Sequence, residues 1–180
     1  MPDVAASQST LVAQFASQRL GHTVGDGECF ALADLALRSI NVKSASDFGT
    51  ISANADYVWG REVTIGQAQA GDVIQFRNVG FTETTRTDIT RSDGSTEWTE
   101  ETRSESRPHH TAIVASIGDN GQLMVYEQNV GGQRQVLLNQ LLFSAVTIRP
   151  APTTDNGVTT TITRTITVTG SAKFYRAQTR

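Results

Sequence analysis

Apolar residues recur at helical spacing in the first forty positions of the chain. Between Ser9-Thr10 and Gly21 they fall on one face, which predicts a short amphipathic helix with an N-cap and a glycine stop. The residues of that face are Leu11, Val12, Phe15 and Leu20. The run Cys29–Ile40 is rich in Ala and Leu on most sides, as in a helix that is largely buried.

After a polar, turn-rich stretch at 41–56, the pattern changes to that of strands. The predicted strands are Val73–Arg77, His109–Ile117, Gln122–Asn129, Val158–Val168 and Ala172–Arg176. The second and third should pair antiparallel across a tight turn at 118–121. The run Val136–Leu142 fits a helical turn or a strand edge equally well. The aromatic residues Tyr57 and Trp59 fit either the core or a pocket wall, with the core favoured.

The stretch from Phe81 to Ser106 is polar on both faces, and Asp93-Gly94 separates two Thr-rich arms. This pattern predicts a solvated β-ribbon that projects from the body, with disorder as the alternative. Helices first and strands later indicate an α+β fold in which N-terminal helices pack on an antiparallel sheet. We expect one domain over residues 1–180, with the ribbon inserted at about 81–106.

Charge and composition narrow the classes of function. The chain has 18 acidic and 15 basic residues, a net charge of −3, and no basic block, so nucleic-acid binding has little electrostatic support. Residues 1–8 lack the features of a signal peptide, and no stretch is long enough for a membrane helix. We expect a soluble protein without membrane insertion, cytoplasmic as made or exported without a signal peptide, of unassigned oligomeric state.

The single cysteine, Cys29, stands where a Gly-rich loop becomes the second predicted helix. Unpaired N–H groups at a helix start stabilise a thiolate, so this position suits a nucleophile, although a buried structural thiol is the alternative. The three histidines lack a metal-ligand spacing with Cys29, so we expect no metal site and no cofactor.

A catalytic thiol needs a base and a group that orients the base. Because neighbouring residues of a strand point to opposite faces, at most one of His109 and His110 can face Cys29, and nothing orients His22. The hairpin partner ends in Glu127-Gln128-Asn129, where alternation puts Glu127 and Asn129 on one face. Either side chain is able to accept a hydrogen bond from the imidazole.

These motifs, in this order, resemble the CHAP (cysteine, histidine-dependent amidohydrolase/peptidase) domains of the NlpC-type and papain-like cysteine peptidase superfamily, over residues 8–145. The motifs are Gly27-Glu28-Cys29, Gly71–Phe76, His110–Val114 and Glu127–Asn129 followed by Gly131. With Tyr57–Gly60 added, the string is similar to a CHAP-like domain at one end of certain fungal cortical-actin proteins and in stand-alone bacterial proteins.

The resemblance implies a papain-like fold with Cys29 as nucleophile, His110 as base and Glu127 as orienting group, with Asn129 beside it. His110 is selected over His109 because the family histidine stands two residues before Ala-Ile-Val. Many members have Gln before the cysteine, whereas this chain has Glu28. Since a carboxylate cannot donate a hydrogen bond, we expect backbone N–H groups near Cys29 to serve the oxyanion.

The expected function is a cysteine amidohydrolase or peptidase that cleaves peptidoglycan amide or cross-bridge bonds through a thioester, as a delivered antibacterial effector. One alternative is a non-catalytic or weakly catalytic binding module, with a protein partner that adds a strand to the ribbon. The other is a peptidase or deamidase that acts on protein substrates. The ribbon flanks His110 in sequence, so it is placed to cap the cleft.

Overall fold

The computed structural model of the chain describes residues 6–143 and 146–180. The N-terminal segment considered above for a signal peptide lies outside these ranges over residues 1–5. The helices are α1 (Gln8–Ser17) and α2 (Cys29–Ser39). The strands are β1 (Arg61–Val63), β2 (Val73–Thr90), β3 (Thr96–Ile117), β4 (Gln122–Glu127), β5 (Leu137–Leu142), β6 (Val146–Ile148), β7 (Thr153–Asp155) and β8 (Val158–Arg176).

Within the described residues, the two helices pack on one eight-stranded sheet, so the predicted α+β class is confirmed. The strand order is β1-β8-β2-β3-β4-β5, and β6 and β7 also pair with β8. All of these strand pairs are antiparallel, including the hairpin of β3 and β4 that the sequence predicts. The last strand, β8, therefore lies inside the sheet, between the edge strand β1 and β2.

The polar ribbon is ordered and is the outer half of three long strands. β2 and β3 pair from Val73 with Ile113 to Thr90 with Thr96, and β8 follows β2 over nearly the same length. The hairpin prediction is confirmed, but the third strand of the ribbon was not predicted. The two predicted closing strands are one strand, β8, which continues past a register shift opposite Asn78, whose φ is +50°.

The core has two clusters of buried apolar residues, because alternate residues of the strands face opposite sides of the sheet. One cluster joins the helices to the sheet through Leu32, Leu37, Val73 and Ile113. The other cluster includes Ile74, Phe76, Val114, Val125 and Phe174. Trp59 is fully buried in the helix-side cluster, and its Nε1–H donates to Gln75 Oε1 at 3.0 Å. The core assignment therefore holds for Trp59, whereas Tyr57 packs in the same cluster and also lines the cleft described below.

Helix α1 and strand β4 have other bounds than the sequence predicts, and the structure resolves one ambiguous run. Helix α1 ends at Ser17 with Gln18 as its C-cap, before the predicted stop at Gly21. Helix α1 begins after Ser7, whose Oγ accepts from Thr10 N–H at 3.2 Å, so Ser9 is a buried helical residue and not the cap. The ambiguous run at 136–142 forms strand β5, because its backbone pairs with β4. Strand β4 ends at Glu127, two residues before the predicted end. No helix in the described ranges is long and apolar enough to cross a membrane.

Candidate active site

One buried side chain, that of Gln128, joins the loop before Cys29 to the end of β4 through hydrogen bonds. Its Oε1 accepts from Val24 N–H at 3.2 Å, and its Nε2 donates to Val24 O at 3.0 Å and to Glu28 O at 2.6 Å. Gln128 is fully buried, so these bonds are shielded from water. Helix α2 begins one residue after this attachment, which positions Cys29 against β3 and β4.

The Cys29 thiol is partly buried and has several hydrogen-bond donors around it. The His110 side chain and the backbone N–H groups of Thr111 and Phe30 are the groups that stabilise its thiolate form. Burial alone raises the pKa of a thiol, but the hydrogen bond and charge of His110 and the two backbone donors outweigh it. The pKa of Cys29 therefore lies below its ordinary value.

His110 on β3 lies between the thiol and a buried carboxylate. Its Nε2–H donates to Glu127 Oε2 at 3.0 Å, so Nδ1 is the ring nitrogen available to Cys29. Burial alone lowers the pKa of an imidazole, but the hydrogen bonds to Cys29 and Glu127 reverse this effect, and the net shift is upward. The directions for Cys29 and His110 both favour a thiolate–imidazolium pair.

Glu127 is fully buried at the end of β4 and accepts four hydrogen bonds. Besides His110, the donors are Arg107, which binds both carboxylate oxygens, and Asn139 Nδ2, which donates to Oε1 at 2.8 Å. Burial raises the pKa of a carboxyl, but the hydrogen bonds from His110 and Arg107 and their charges lower that of Glu127 to about 2. Glu127 is therefore ionised at all ordinary pH values.

Arg107 and Asn139 were missed by sequence reasoning. Arg107 directly follows the polar ribbon segment in sequence, although its side chain is buried. The available signal was indirect, because a buried Glu127 requires a cationic or hydrogen-bonding partner. Nothing in the pattern of residues identified which basic side chain would provide it.

The remaining candidates have other partners. His109 Nε2 donates to Ala55 O at 2.6 Å, and its ring packs against Tyr57 with centroids 5.1 Å apart. His22 is exposed in the loop before Val24. Asn129 has a left-handed backbone with φ +61°, and its Nδ2 donates to Glu28 Oε2 at 2.6 Å. The imidazole of His110 therefore donates to Glu127 and not to Asn129, and the Asn129 side chain lies at the start of α2.

Glu28, which precedes the cysteine, is occupied by hydrogen bonds from Asn129 and Arg134. The backbone at the start of α2 offers a donor in its place. Glu28 N–H donates to Asp26 Oδ1 and Ala31 N–H donates to Glu28 O, while Phe30 N–H stabilises the thiolate and so lowers the pKa of Cys29. Of the four N–H groups that a helix start leaves without helical partners, Cys29 N–H is then the one available to an oxyanion.

The thiol and the imidazole line a cleft of about 1140 Å³. One wall comes from β3 at Glu105–His110, so the ribbon begins at the edge of the cleft. The opposite side is lined by Asn129–Gly131 and by residues of β5. In the part of the chain that the structure describes, no cluster of three or more His, Cys, Asp or Glu side chains is placed to hold a metal ion.

The sheet, the helix that begins at a cysteine, and the facing histidine strand define a cysteine proteinase-like fold. The chain belongs to the AIM3/BBC1 cysteine proteinase-fold domain family, whose model matches residues 2–146. This match confirms the resemblance to the CHAP-like domain of fungal cortical-actin proteins. It covers Cys29, His110 and Glu127 and ends before β7 and β8. No curated protein and no solved structure matched the chain.

Proposed function

We propose that this chain is a cysteine amidohydrolase that cleaves peptide amide or cross-bridge bonds of peptidoglycan through a thioester intermediate. The observation that carries the proposal is the arrangement of Cys29, His110 and Glu127: His110 donates to Glu127 at 3.0 Å, lowers the pKa of Cys29, and lines the cleft together with the thiol. A buried structural thiol needs neither a histidine held in one tautomer nor a depressed pKa. A nucleophilic thiol uses both.

The chemistry follows from the positions of the three groups. The thiolate of Cys29 attacks the amide carbonyl, and the Cys29 N–H stabilises the negative oxygen of the tetrahedral intermediate. His110 gives its Nδ1 proton to the departing amine, which leaves a thioester on the sulfur. His110 then takes a proton from water, the resulting hydroxide attacks the thioester, and the carboxylic acid product leaves as the thiol re-forms. Glu127 holds the imidazole throughout.

The substrate class rests on the resemblance to CHAP domains and on the character of the cleft. Its lining combines the rings of Phe30, Tyr57 and Pro108 with the amides of Asn139 and Gln140. Such a surface suits a short peptide with both methyl groups and free backbone amides, as in a peptidoglycan stem.

Digestion of purified peptidoglycan tests the proposal. Wild-type protein, Cys29→Ala, His110→Ala and the exposed control His22→Ala are incubated with sacculi of several stem and cross-bridge chemistries. Mass spectrometry of the soluble products should show new amine and carboxyl termini for wild type and His22→Ala. We expect neither product from Cys29→Ala or His110→Ala. Intact sacculi after treatment with the folded wild-type protein contradict the assignment of peptidoglycan.

A hydrolase of protein substrates uses the same three residues, so a second arm of this experiment distinguishes it. A peptide library that lacks D-amino acids is offered in place of sacculi. Cleavage or deamidation of the library, with intact sacculi, assigns a peptidase or deamidase.

The binding-module alternative is favoured by a different observation, the free edge of β3. β3 pairs with β4 only over Ile113–Ile117, so in the described ranges no strand pairs with residues 96–112 on that side. An extended segment of a partner protein is able to add a strand there. Partner binding that survives in Cys29→Ala, together with no hydrolysis by wild type, supports this alternative.

A further inference from the structure

The ion pair of Arg107 and Glu127 lies directly behind His110, and Arg107 is not among the residues that the family resemblance implies. Arg107 Nε donates to Glu127 Oε2 at 3.1 Å, and Nη2 donates to Oε1 at 2.7 Å. The exposed fractions are 4% for the Arg107 side chain and 0% for that of Glu127. Arg107 and Glu127 therefore form a bidentate ion pair that is shielded from water. Bidentate hydrogen bonds between charged groups are the strongest in proteins.

The pair also fixes the plane of the carboxylate. Oε2 is shared by Arg107 and His110, and Oε1 is shared by Arg107 and Asn139. A carboxylate has about four lone-pair positions, and all four are occupied here. Rotation of the carboxylate breaks at least one of these hydrogen bonds. Moving Oε2 away from His110 therefore requires free energy.

We propose that Arg107 is a positioning residue for the proposed reaction: it holds Glu127 in the orientation that aligns His110, and it balances the charge that Glu127 presents to the imidazole. The role of Arg107 in catalysis rests on the proposed function. The arrangement itself is a property of the folded protein and is measurable without a substrate.

The charge balance has a defined direction. The ionisable groups around the imidazole are Cys29 from α2, Glu127 from β4, and Arg107 from β3 with Glu105 beyond it at 3.4 Å. Glu127 stabilises the imidazolium, whereas Arg107 has the same charge as the imidazolium and opposes it. Removal of the Arg107 charge leaves Glu127 uncompensated, so the pKa of His110 should rise.

The test is the NMR titration of the His110 Cε1–H resonance, assigned with His22→Ala and His109→Ala. We expect Arg107→Gln to raise the pKa of His110 by about one unit, and Arg107→Lys, which keeps the charge, to change it by less than about 0.3. Arg103→Gln is the matched control, because Arg103 lies on the same strand with an exposed side chain and should cause no shift. An unchanged titration in Arg107→Gln, or equal shifts in the Gln and Lys variants, overturns the proposal.

A second pair of variants covers the case in which Arg107→Gln does not fold. In Arg107→Gln/Glu127→Gln, which removes both buried charges, His110 should titrate about one unit above His110 in Glu127→Gln, because the single variant leaves the Arg107 charge uncompensated near the imidazole. Equal pKa values of His110 in these two variants mean that the Arg107 charge does not act on the imidazole, which contradicts the proposal. Failure of the peptidoglycan digestion leaves these titrations unchanged, so the two proposals fail separately.

Discussion

Cys29, His110, Glu127 and Arg107 form one series whose charges alternate in sign when the thiol is ionised, and hydrogen bonds join Glu127 to both His110 and Arg107. Each member lowers the cost of burying the next, because an opposite charge and a hydrogen bond replace lost water. The series ends at Arg107, which also donates to Ser106 O at 3.1 Å. The four side chains therefore act as one electrostatic unit. The changes in unfolding free energy caused by single substitutions within it should be strongly non-additive.

The carboxyl of Glu127 should make the protein sensitive to acid. Its pKa is about 2 in the folded protein against an ordinary value of 4.5, so its stabilising effect is complete above pH 5 and is lost as the pH falls toward 2. We expect this group to account for about 3 kcal/mol of the decrease in unfolding free energy between pH 5 and pH 2. Urea denaturation across that range measures the decrease.

Glu127→Gln is the comparison for this titration. It should be less stable than wild type at pH 7, because Arg107 is left buried without its anion. Its unfolding free energy should nevertheless decrease by about 3 kcal/mol less between pH 5 and pH 2. Equal acid sensitivity of the two proteins contradicts the assigned pKa of Glu127.

Sequence reasoning at the residue scale singled out Cys29, His110 and Glu127 as residues that the fold brings together, but it missed Arg107 and Asn139. The difference has a physical cause. A nucleophile and its base are recognisable by residue type and local setting, whereas a partner of a buried charge is defined by burial, which no local pattern reveals. Asn129 was included by strand alternation, which does not apply beyond the end of β4 at Glu127.

At the scale of elements, the site depends on the junction between the loop before α2 and the end of β4. Gln128 makes this junction with three buried hydrogen bonds. The glycines of the loop assist it: Gly27 has φ +83°, and a Cβ there would lie 3.0 Å from Arg134 Cδ. Buried hydrogen bonds therefore help to hold the start of α2 against β4.

Gln128→Ala should lower the unfolding free energy by about 3 kcal/mol, because the Val24 N–H and the Val24 and Glu28 carbonyls lose their buried partner. We also expect slower alkylation of Cys29 at neutral pH, since the helix start is no longer fixed opposite His110. Urea denaturation measures the unfolding free energy, and the rate of alkylation measures the reactivity of Cys29. Gln135→Ala, at an exposed position of the same region, should change the unfolding free energy by less than about 0.5 kcal/mol. Similar effects of the two substitutions contradict this role for Gln128.

The elements themselves were largely predictable, because helix periodicity and β-branched runs are local signals. The lengths of the strands were less predictable than their positions. The strands β2 and β3 extend through the polar ribbon, where side-chain pattern gives little sign of burial and cross-strand pairing decides the structure. The run at 136–142 was ambiguous for the same reason, since its strand form depends on pairing with β4.

At the scale of the whole molecule, the C-terminal strand β8 connects the core to the ribbon. It lies between β1 and β2, and it contributes Phe174 and Tyr175, which are 4% and 3% exposed, to the two apolar clusters. Such a placement was not predictable from local pattern, because a strand at the end of the sequence has no local signal for insertion between two other strands of a sheet.

Removal of β7 and β8 should therefore prevent folding, although the family match ends at residue 146. A chain that ends at residue 150 loses the partner of β1, one edge of β2 and two buried aromatic side chains, each worth about 3–5 kcal/mol. Circular dichroism and thermal unfolding measure the result. The full-length Phe174→Ala variant should be destabilised but folded. A cooperative thermal transition in the shortened chain contradicts the role assigned to β8.

The most direct test of the central claim is the pH dependence of Cys29 alkylation. Because Cys29 is the one cysteine in the sequence, iodoacetamide labelling followed by mass spectrometry reports on this thiol alone. We expect wild type and His22→Ala to react at pH 6.5 at least about tenfold faster than His110→Ala, since burial without His110 raises the pKa of the thiol. Equal rates for wild type and a folded His110→Ala would show that His110 does not activate Cys29, which contradicts the account.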